Sequence, residues 1–174
     1  MRIRLCYAMG MLMASCLPCT PAMSADTVAP LPGLDTCIAA ALQQRPGVLF
    51  GWRVLSDTPQ PVYKMSVLTA DGRIADADCS PNATANLRFA NRIGGRRYEP
   101  YKEIGVPESA ARKTAPLVFA GTVKIMSMQI GTDIKGRLWY EYRMELPSGH
   151  RATSHVDTVS GFLTSADATE SGSE

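Results

Sequence analysis

The chain has two histidines, and their spacing bears on metal binding and on acid–base catalysis. His150 and His155 are five residues apart in a segment of strand-like composition. Successive side chains of a strand point to opposite faces, so these two histidines are not expected to share one. The sequence also contains neither a His-Glu-x-x-His zinc pattern nor a Gly-x-Ser-x-Gly nucleophile elbow. We therefore predict no metal site and no catalytic residue.

Two further groups of residues could bind an ion. Asp76 and Asp78 share one face of a predicted strand, but calcium sites need a loop that supplies more oxygen ligands than two carboxylates. A Gly-Gly pair before Arg96 and Arg97 could hold an anion, yet it lacks the strand–loop–helix order of phosphate-binding loops. Neither group predicts a cofactor, and we expect none.

Aromatic and arginine side chains on a polar face are typical of protein-contact surfaces. Trp139 and Arg143 fall on the polar side of the most regular strand pattern in the chain. Arg96, Arg97 and Tyr98 lie together in a predicted connecting segment. These five residues are the candidate partner contacts. The alternative for Trp139 is burial under a helix or under the other half of the chain.

The N-terminus has the composition of a secretory signal. Arg2 and Arg4 precede an apolar run over residues 5–17, and small residues follow it. The run is shorter than the roughly 20 residues needed to cross a bilayer. A signal peptide is therefore predicted over residues 1–25, with a periplasmic or secreted product. An uncleaved anchor is one alternative, and lipidation at Cys16, which would attach the protein to the envelope, is another.

Cysteine usage follows from the predicted export. Removal of the signal eliminates three of the five cysteines and leaves Cys37 and Cys79. A single pair in an exported domain is most simply a disulfide. It would join the start of the first predicted helix to the end of a predicted strand.

The charge balance excludes one class of partner. The chain has 18 Lys+Arg and 16 Asp+Glu, and two of the arginines belong to the predicted signal. The mature chain would then carry equal numbers of basic and acidic residues. Because nucleic-acid binding depends on neutralising many phosphates, we predict no nucleic-acid partner. An anionic membrane surface is disfavoured on the same ground, except through lipidation at Cys16.

A pattern of elements occurs twice in the predicted mature chain. Each copy has a short Ala-rich helix that ends at a proline, followed by about three strand-like segments. Tyr63 precedes Gly72 by nine residues, and Tyr140 precedes Gly149 by the same interval. The two glycines follow Asp and Ser, as expected in hairpin turns.

The repeat predicts an α+β fold of two modules, each with a helix packed on an antiparallel sheet of about three strands. The predicted modules span residues 34–93 and 107–163, joined by a linker at 94–106 and followed by a flexible tail at 164–174. In the second module, strict alternation of apolar and polar residues predicts that Tyr140 and Tyr142 face the core.

The first copy resembles the PepSY family in the stretches Pro61-Val62-Tyr63 and Ala70-Asp71-Gly72-Arg73. The second copy is similar in Ser148-Gly149 and in the residues from Asp157 to Gly161. The resemblance implies a tandem pair of small cystatin-like α+β modules in an extracytoplasmic bacterial protein. It also implies roles such as peptidase inhibition or modulation of a sensor, and no catalysis.

The expected function is therefore noncatalytic binding of another exported or membrane-bound protein. The partner could be an exported peptidase or hydrolase, or a sensor. An envelope accessory protein that binds a lipid or a glycan is the main alternative, and a small exported enzyme is the least favoured class.

Overall fold

The computed structural model describes residues 28–57, 59–92 and 99–169. Two α-helices and a 3₁₀ helix at Glu99–Glu103 accompany eight strands. The predicted signal peptide lies outside the described residues. Among the residues described, no helix is long and apolar enough to span a membrane. The helices are α1 (Leu34–Gln44) and α2 (Glu108–Thr114), and the strands are β1 (Gly47–Ser56), β2 (Val62–Thr69), β3 (Ile74–Cys79), β4 (Ala90–Arg92), β5 (Lys124–Thr132), β6 (Leu138–Glu145), β7 (Arg151–Asp157) and β8 (Leu163–Thr169).

All eight strands form one antiparallel sheet in the order β4-β3-β2-β1-β5-β6-β7-β8. The prediction of two modules, each with its own sheet of about three strands, is wrong. Strand β1 of the first half pairs directly with β5 of the second, with Trp52 opposite Met128 and Arg53 opposite Ser127. Each half contributes four strands, and the backbone hydrogen bonds continue across the junction.

Gly51 permits the close approach of the two halves. A Cβ atom at this position would lie 2.8 Å from the carbonyl oxygen of Met128 and 3.4 Å from the Cα of Gln129. The first distance is shorter than a side-chain carbon tolerates, so a larger residue at position 51 would force the backbone to shift where β1 meets β5. A register shift between Leu49 and Gly51 in the β1–β2 pairing lies beside this contact.

Both helices cover the same side of the sheet, called here the helix face. On α1, Cys37 is bonded to Cys79 of β3, which lies opposite Tyr63. On α2, the Glu108 carboxylate accepts hydrogen bonds from Trp52 on β1 and Tyr142 on β6. The other side carries no α-helix of the described chain and is called the open face.

The core lies between the helices and the helix face. One cross-strand row of this face runs through both halves of the sheet, and its members are almost fully buried: Ala77, Met65, Trp52, Met128, Tyr142 and Ser154. Tyr140 is 3% exposed and Tyr142 is fully buried, which confirms the predicted orientation of β6. A single cluster of apolar side chains therefore serves both halves.

Two segments differ from the sequence-based expectation. Residues 164–169, predicted to begin a flexible tail, form most of β8 and pair with β7. Residues 99–103, within the predicted linker, form the 3₁₀ helix, whose Tyr101 is 5% exposed and packs edge-on against Phe50. The glycines of the two predicted hairpin turns, Gly72 and Gly149, both adopt positive φ angles, as such turns require.

Candidate binding face

The open face is polar across the centre of the sheet. The strand register aligns Lys64, Arg53, Ser127 and Arg143 in one row across β2, β1, β5 and β6. The next row along these strands consists of Ser66, Gly51, Gln129 and Glu141. The alternation within each strand thus places its charged residues on the side opposite the core.

These two rows surround a depression of about 340 Å³ over the β1–β5 junction. Small residues form its floor, because Gly51, Ser66 and Ser127 have little or no side chain. Longer side chains stand around them, and four of these are cationic: Arg53, Lys64, Arg92 and Arg143. Asp76 is the one acidic residue among those that line the depression.

The charge of Asp76 is compensated locally. Its side chain is 7% exposed and lies 2.5 Å from Arg92 Nε and 3.8 Å from Lys64 Nζ. Ser66 Oγ donates a hydrogen bond of 2.7 Å to the same carboxylate. The partly buried carboxylate therefore has two cations and a hydroxyl beside it, as a desolvated charge requires.

On the other side of the depression, the positive charges are less fully compensated by acidic groups. Arg143 donates hydrogen bonds of 3.0 and 3.1 Å to Glu141, and this carboxylate also accepts one from Gln129. The side chain of Arg53 forms no hydrogen bond or ion pair with any described residue. Its guanidinium is therefore available for a ligand.

Trp139 and Arg143, two of the five predicted partner contacts, both lie on the open face. The Trp139 indole covers Gly131, where a Cβ atom would lie 2.4 Å from the indole nitrogen, and its ring centre is 5.4 Å from that of His155. The indole N–H is buried and has no hydrogen-bond acceptor among the described residues. The other three predicted contacts, Arg96, Arg97 and Tyr98, lie outside the described residues.

The histidines do not come together. His155 Nδ1 is 2.7 Å from Ser165 Oγ, and His155 Nε2 is 3.7 Å from a Glu141 oxygen. Neither His155 nor Ser165 of this serine–histidine–carboxylate row lines the depression over the β1–β5 junction. No group of three metal-ligating side chains is arranged for a metal ion in the described parts of the chain.

A second depression, of about 460 Å³, lies on the helix face beside α1 and the start of α2. It is mainly apolar, and Ile38, Leu42 and Val48 are among the residues that line it. Glu108 also borders it, although this residue is only 8% exposed. The depression therefore combines aliphatic walls with one nearly buried carboxyl.

The Glu108 carboxyl joins the two halves of the core. One oxygen accepts hydrogen bonds from Trp52 Nε1 at 3.1 Å and Tyr142 OH at 3.3 Å. The other oxygen lies 3.7 Å from Arg112, which also pairs with Asp35 of α1. Burial raises the pKa of Glu108, although the Arg112 guanidinium acts in the opposite direction.

Cys37 and Cys79 form a disulfide between α1 and β3, with their Cα atoms 5.8 Å apart. The bridge spans 42 residues and holds the helix against the end of the sheet remote from the β1–β5 junction. It lies on the helix face, so it supports the fold without contributing to the open face.

The sequence pattern places Arg143 among the candidate contacts but does not indicate Arg53 or Arg92 as part of the depression. The alternation of β2 does place Lys64 and Ser66 on the polar side. However, Arg53 and Arg143 become neighbours only because β1 pairs with β5, and no local pattern indicates that long-range contact.

Comparison with known proteins gives structural likenesses only. No protein-family model and no curated protein sequence matches the chain. A putative lipoprotein from Clostridium difficile 630 aligns at 10% identity and a TM-score of 0.48, over 78% of this chain and 90% of its own. The YpeB C-terminal domain of Bacillus megaterium aligns at 12% identity and a TM-score of 0.32, over 84% of this chain and 70% of its own. YpmB from Bacillus subtilis has the same identity and TM-score, over 80% of this chain and all (100%) of its own.

The sequence identities and TM-scores of these three structures are too low to assign a family, so the resemblance to the PepSY family stays a prediction.

Proposed function

We propose that the protein is a noncatalytic exported binding protein whose partner, another exported or membrane-bound protein, contacts the open face of the sheet. The observation that carries this proposal is the one-sided covering of the sheet. The buried apolar side chains of the central strands lie on the helix face, while the open face has a depression lined by four cationic side chains, of which Arg53 has no ion pair with a described residue.

The residue types of the open face support a protein partner. Arginine and tryptophan are enriched where proteins contact each other, and Arg53, Arg143 and Trp139 all lie on this face. A depression within a polar surface can accommodate a protruding side chain of a partner. The proposed role is to inhibit or modulate an exported peptidase or hydrolase, or to tune a sensor protein.

The open face can be tested with a photo-activated cross-linking residue. Gln129 is exposed on the open face beside the depression, and Gln43 is exposed on α1, so they are matched positions on opposite sides of the protein. Each is replaced in turn, and the purified full chain is irradiated with an envelope fraction of the native cells.

A protein adduct of defined mass from the Gln129 variant, absent from the Gln43 variant, is the expected result. Adducts of equal yield from both variants, or from the Gln43 variant alone, would contradict docking on the open face. Adducts of lipid or glycan mass at position 129 would show that the ligand of the open face is an envelope lipid or glycan. That result would also overturn the proposal.

A further inference from the structure

We propose that the depression over Gly51 binds carboxylate side chains, so that the partner presents an acidic segment to the open face. This inference rests on the proposed function, because it names the chemistry of the partner surface that docks there. It assigns the recognition to Arg53 and Arg143 in particular.

The spacing of the two arginines suits a carboxylate. Arg53 and Arg143 face each other across Ser127, each one strand away from it. Neighbouring strands are about 4.8 Å apart, so the two arginine Cα atoms are separated by about 10 Å. The side chain of Ser127 is too short to fill that gap. Two guanidinium groups can therefore approach one carboxylate from opposite sides, each with the paired donors that favour such groups.

The charges around the depression favour an acid over other ligands. Lys64 and Arg92 are already engaged by the nearly buried Asp76, and Arg143 by Glu141. Arg53 has no such partner among the described residues. Arg53 has an unpaired guanidinium, and the neighbouring Arg143 can exchange the Glu141 carboxylate for another acceptor. This arrangement predicts binding of a single anionic group.

A polyanion fits the surface less well. The two acids Asp76 and Glu141 lie among the cations, and the whole chain has a formal net charge of only +2. Sulfated glycans and nucleic acids bind to extended surfaces of uncompensated positive charge. Carboxylates spaced along a polypeptide can instead occupy the cationic positions singly.

The test measures binding of a short glutamate-rich peptide carrying a fluorescent label, by anisotropy at low ionic strength. The matched peptide has glutamine in place of every glutamate, and a heparin-derived oligosaccharide represents polyanions. The protein is the full chain and three arginine variants: Arg53→Gln, Arg143→Gln and Arg151→Gln. Arg151 is exposed at the end of β7, outside the depression, and serves as the control.

We expect the glutamate peptide to bind the wild type and the Arg151→Gln control equally. Arg53→Gln and Arg143→Gln should each weaken binding at least about tenfold, the size of a lost hydrogen bond to a charged group. Ser127→Phe, which fills the floor and leaves every charge in place, should weaken it by a similar factor. Circular dichroism establishes that each variant is folded.

Equal binding of the glutamine peptide would overturn the inference, as would equal losses in the Arg151→Gln control. If the oligosaccharide binds more tightly than the glutamate peptide, and if its binding depends on Arg53, the site would be assigned to a glycan instead. If the cross-linking at position 129 succeeds while the glutamate peptide does not bind, the acidic partner is wrong and open-face docking stands. If cross-linking fails as well, the proposed function falls with it.

Discussion

Tyr142 offers a direct test of the shared core, because it and Trp52 of the first half donate hydrogen bonds to the same oxygen of Glu108. It is fully buried on β6, and its hydroxyl is 3.2 Å from the backbone oxygen of Glu108 and 3.3 Å from the Glu108 carboxylate. Burial raises the pKa of Tyr142 far above its usual range, so the phenol remains a donor at all practical pH values.

Two substitutions separate the ring from the hydroxyl. Tyr142→Ala removes a buried aromatic ring and should lower the free energy of unfolding by about 3–5 kcal/mol. Tyr142→Phe removes only the hydrogen bonds and should cost about 1–2 kcal/mol, since both distances are at the long end for such bonds. Trp139→Ala, on the half-buried open-face side of the same strand, should cost roughly half as much as Tyr142→Ala.

The assay is urea unfolding with the disulfide intact, followed by tryptophan fluorescence and by circular dichroism. Both signals should give one coincident transition, since the sheet and the core are continuous. The reasoning is refuted if Trp139→Ala destabilises the protein as much as Tyr142→Ala. Two separate transitions, with Tyr142→Ala shifting only one of them, would contradict the single core.

Three further perturbations test other parts of the structure. Because burial raises the pKa of Glu108, the folded state binds a proton at this carboxyl more tightly than the unfolded state does. The free energy of unfolding should therefore increase as the pH falls from 7 towards the ordinary glutamate pKa of about 4.3. Urea midpoints should show this gain in the wild type and not in Glu108→Gln. Hydrogen bonds lower the pKa values of several surface aspartates, so protonation of these aspartates should reduce stability only below about pH 4. The two effects therefore occur in different pH ranges. Replacing Cys37 and Cys79 by alanine should lower the free energy of unfolding by about 4 kcal/mol, given the 42-residue separation of the two cysteines. Thiol titration of the denatured, unreduced wild type should find almost no free thiol. Gly51→Ala should cost about 1–3 kcal/mol through the contact with the Met128 carbonyl, whereas an unchanged urea midpoint would show that β1 and β5 do not approach so closely.

Local patterns in the sequence predicted the individual elements well. The alternation in β6 gave the correct faces for Tyr140 and Tyr142, and the turn glycines at 72 and 149 are where the sequence places them. These features depend on neighbouring residues, because side-chain alternation and positive φ angles are properties of short segments.

The long-range arrangement could not be predicted in the same way. A repeated pattern of helix and strands is compatible with two separate sheets or with one joined sheet, and only the pairing of β1 with β5 distinguishes them. Strand β8 was missed because its residues are small and polar, without an apolar stripe that would indicate a buried face. The depression depends on that same β1–β5 pairing, so its cations could not be grouped from the sequence.

The most direct measurement of the central claim is chemical footprinting of arginine side chains with phenylglyoxal, read by mass spectrometry. The full chain is treated with and without the envelope fraction that contains its partner. Docking on the open face predicts that Arg53 and Arg143 become protected. Arg45, which is exposed at the end of α1 and lies over the Phe89 ring, should react equally in both samples. Protection of Arg45 with unchanged reactivity of Arg53 and Arg143 would show that the partner binds elsewhere and would contradict the account.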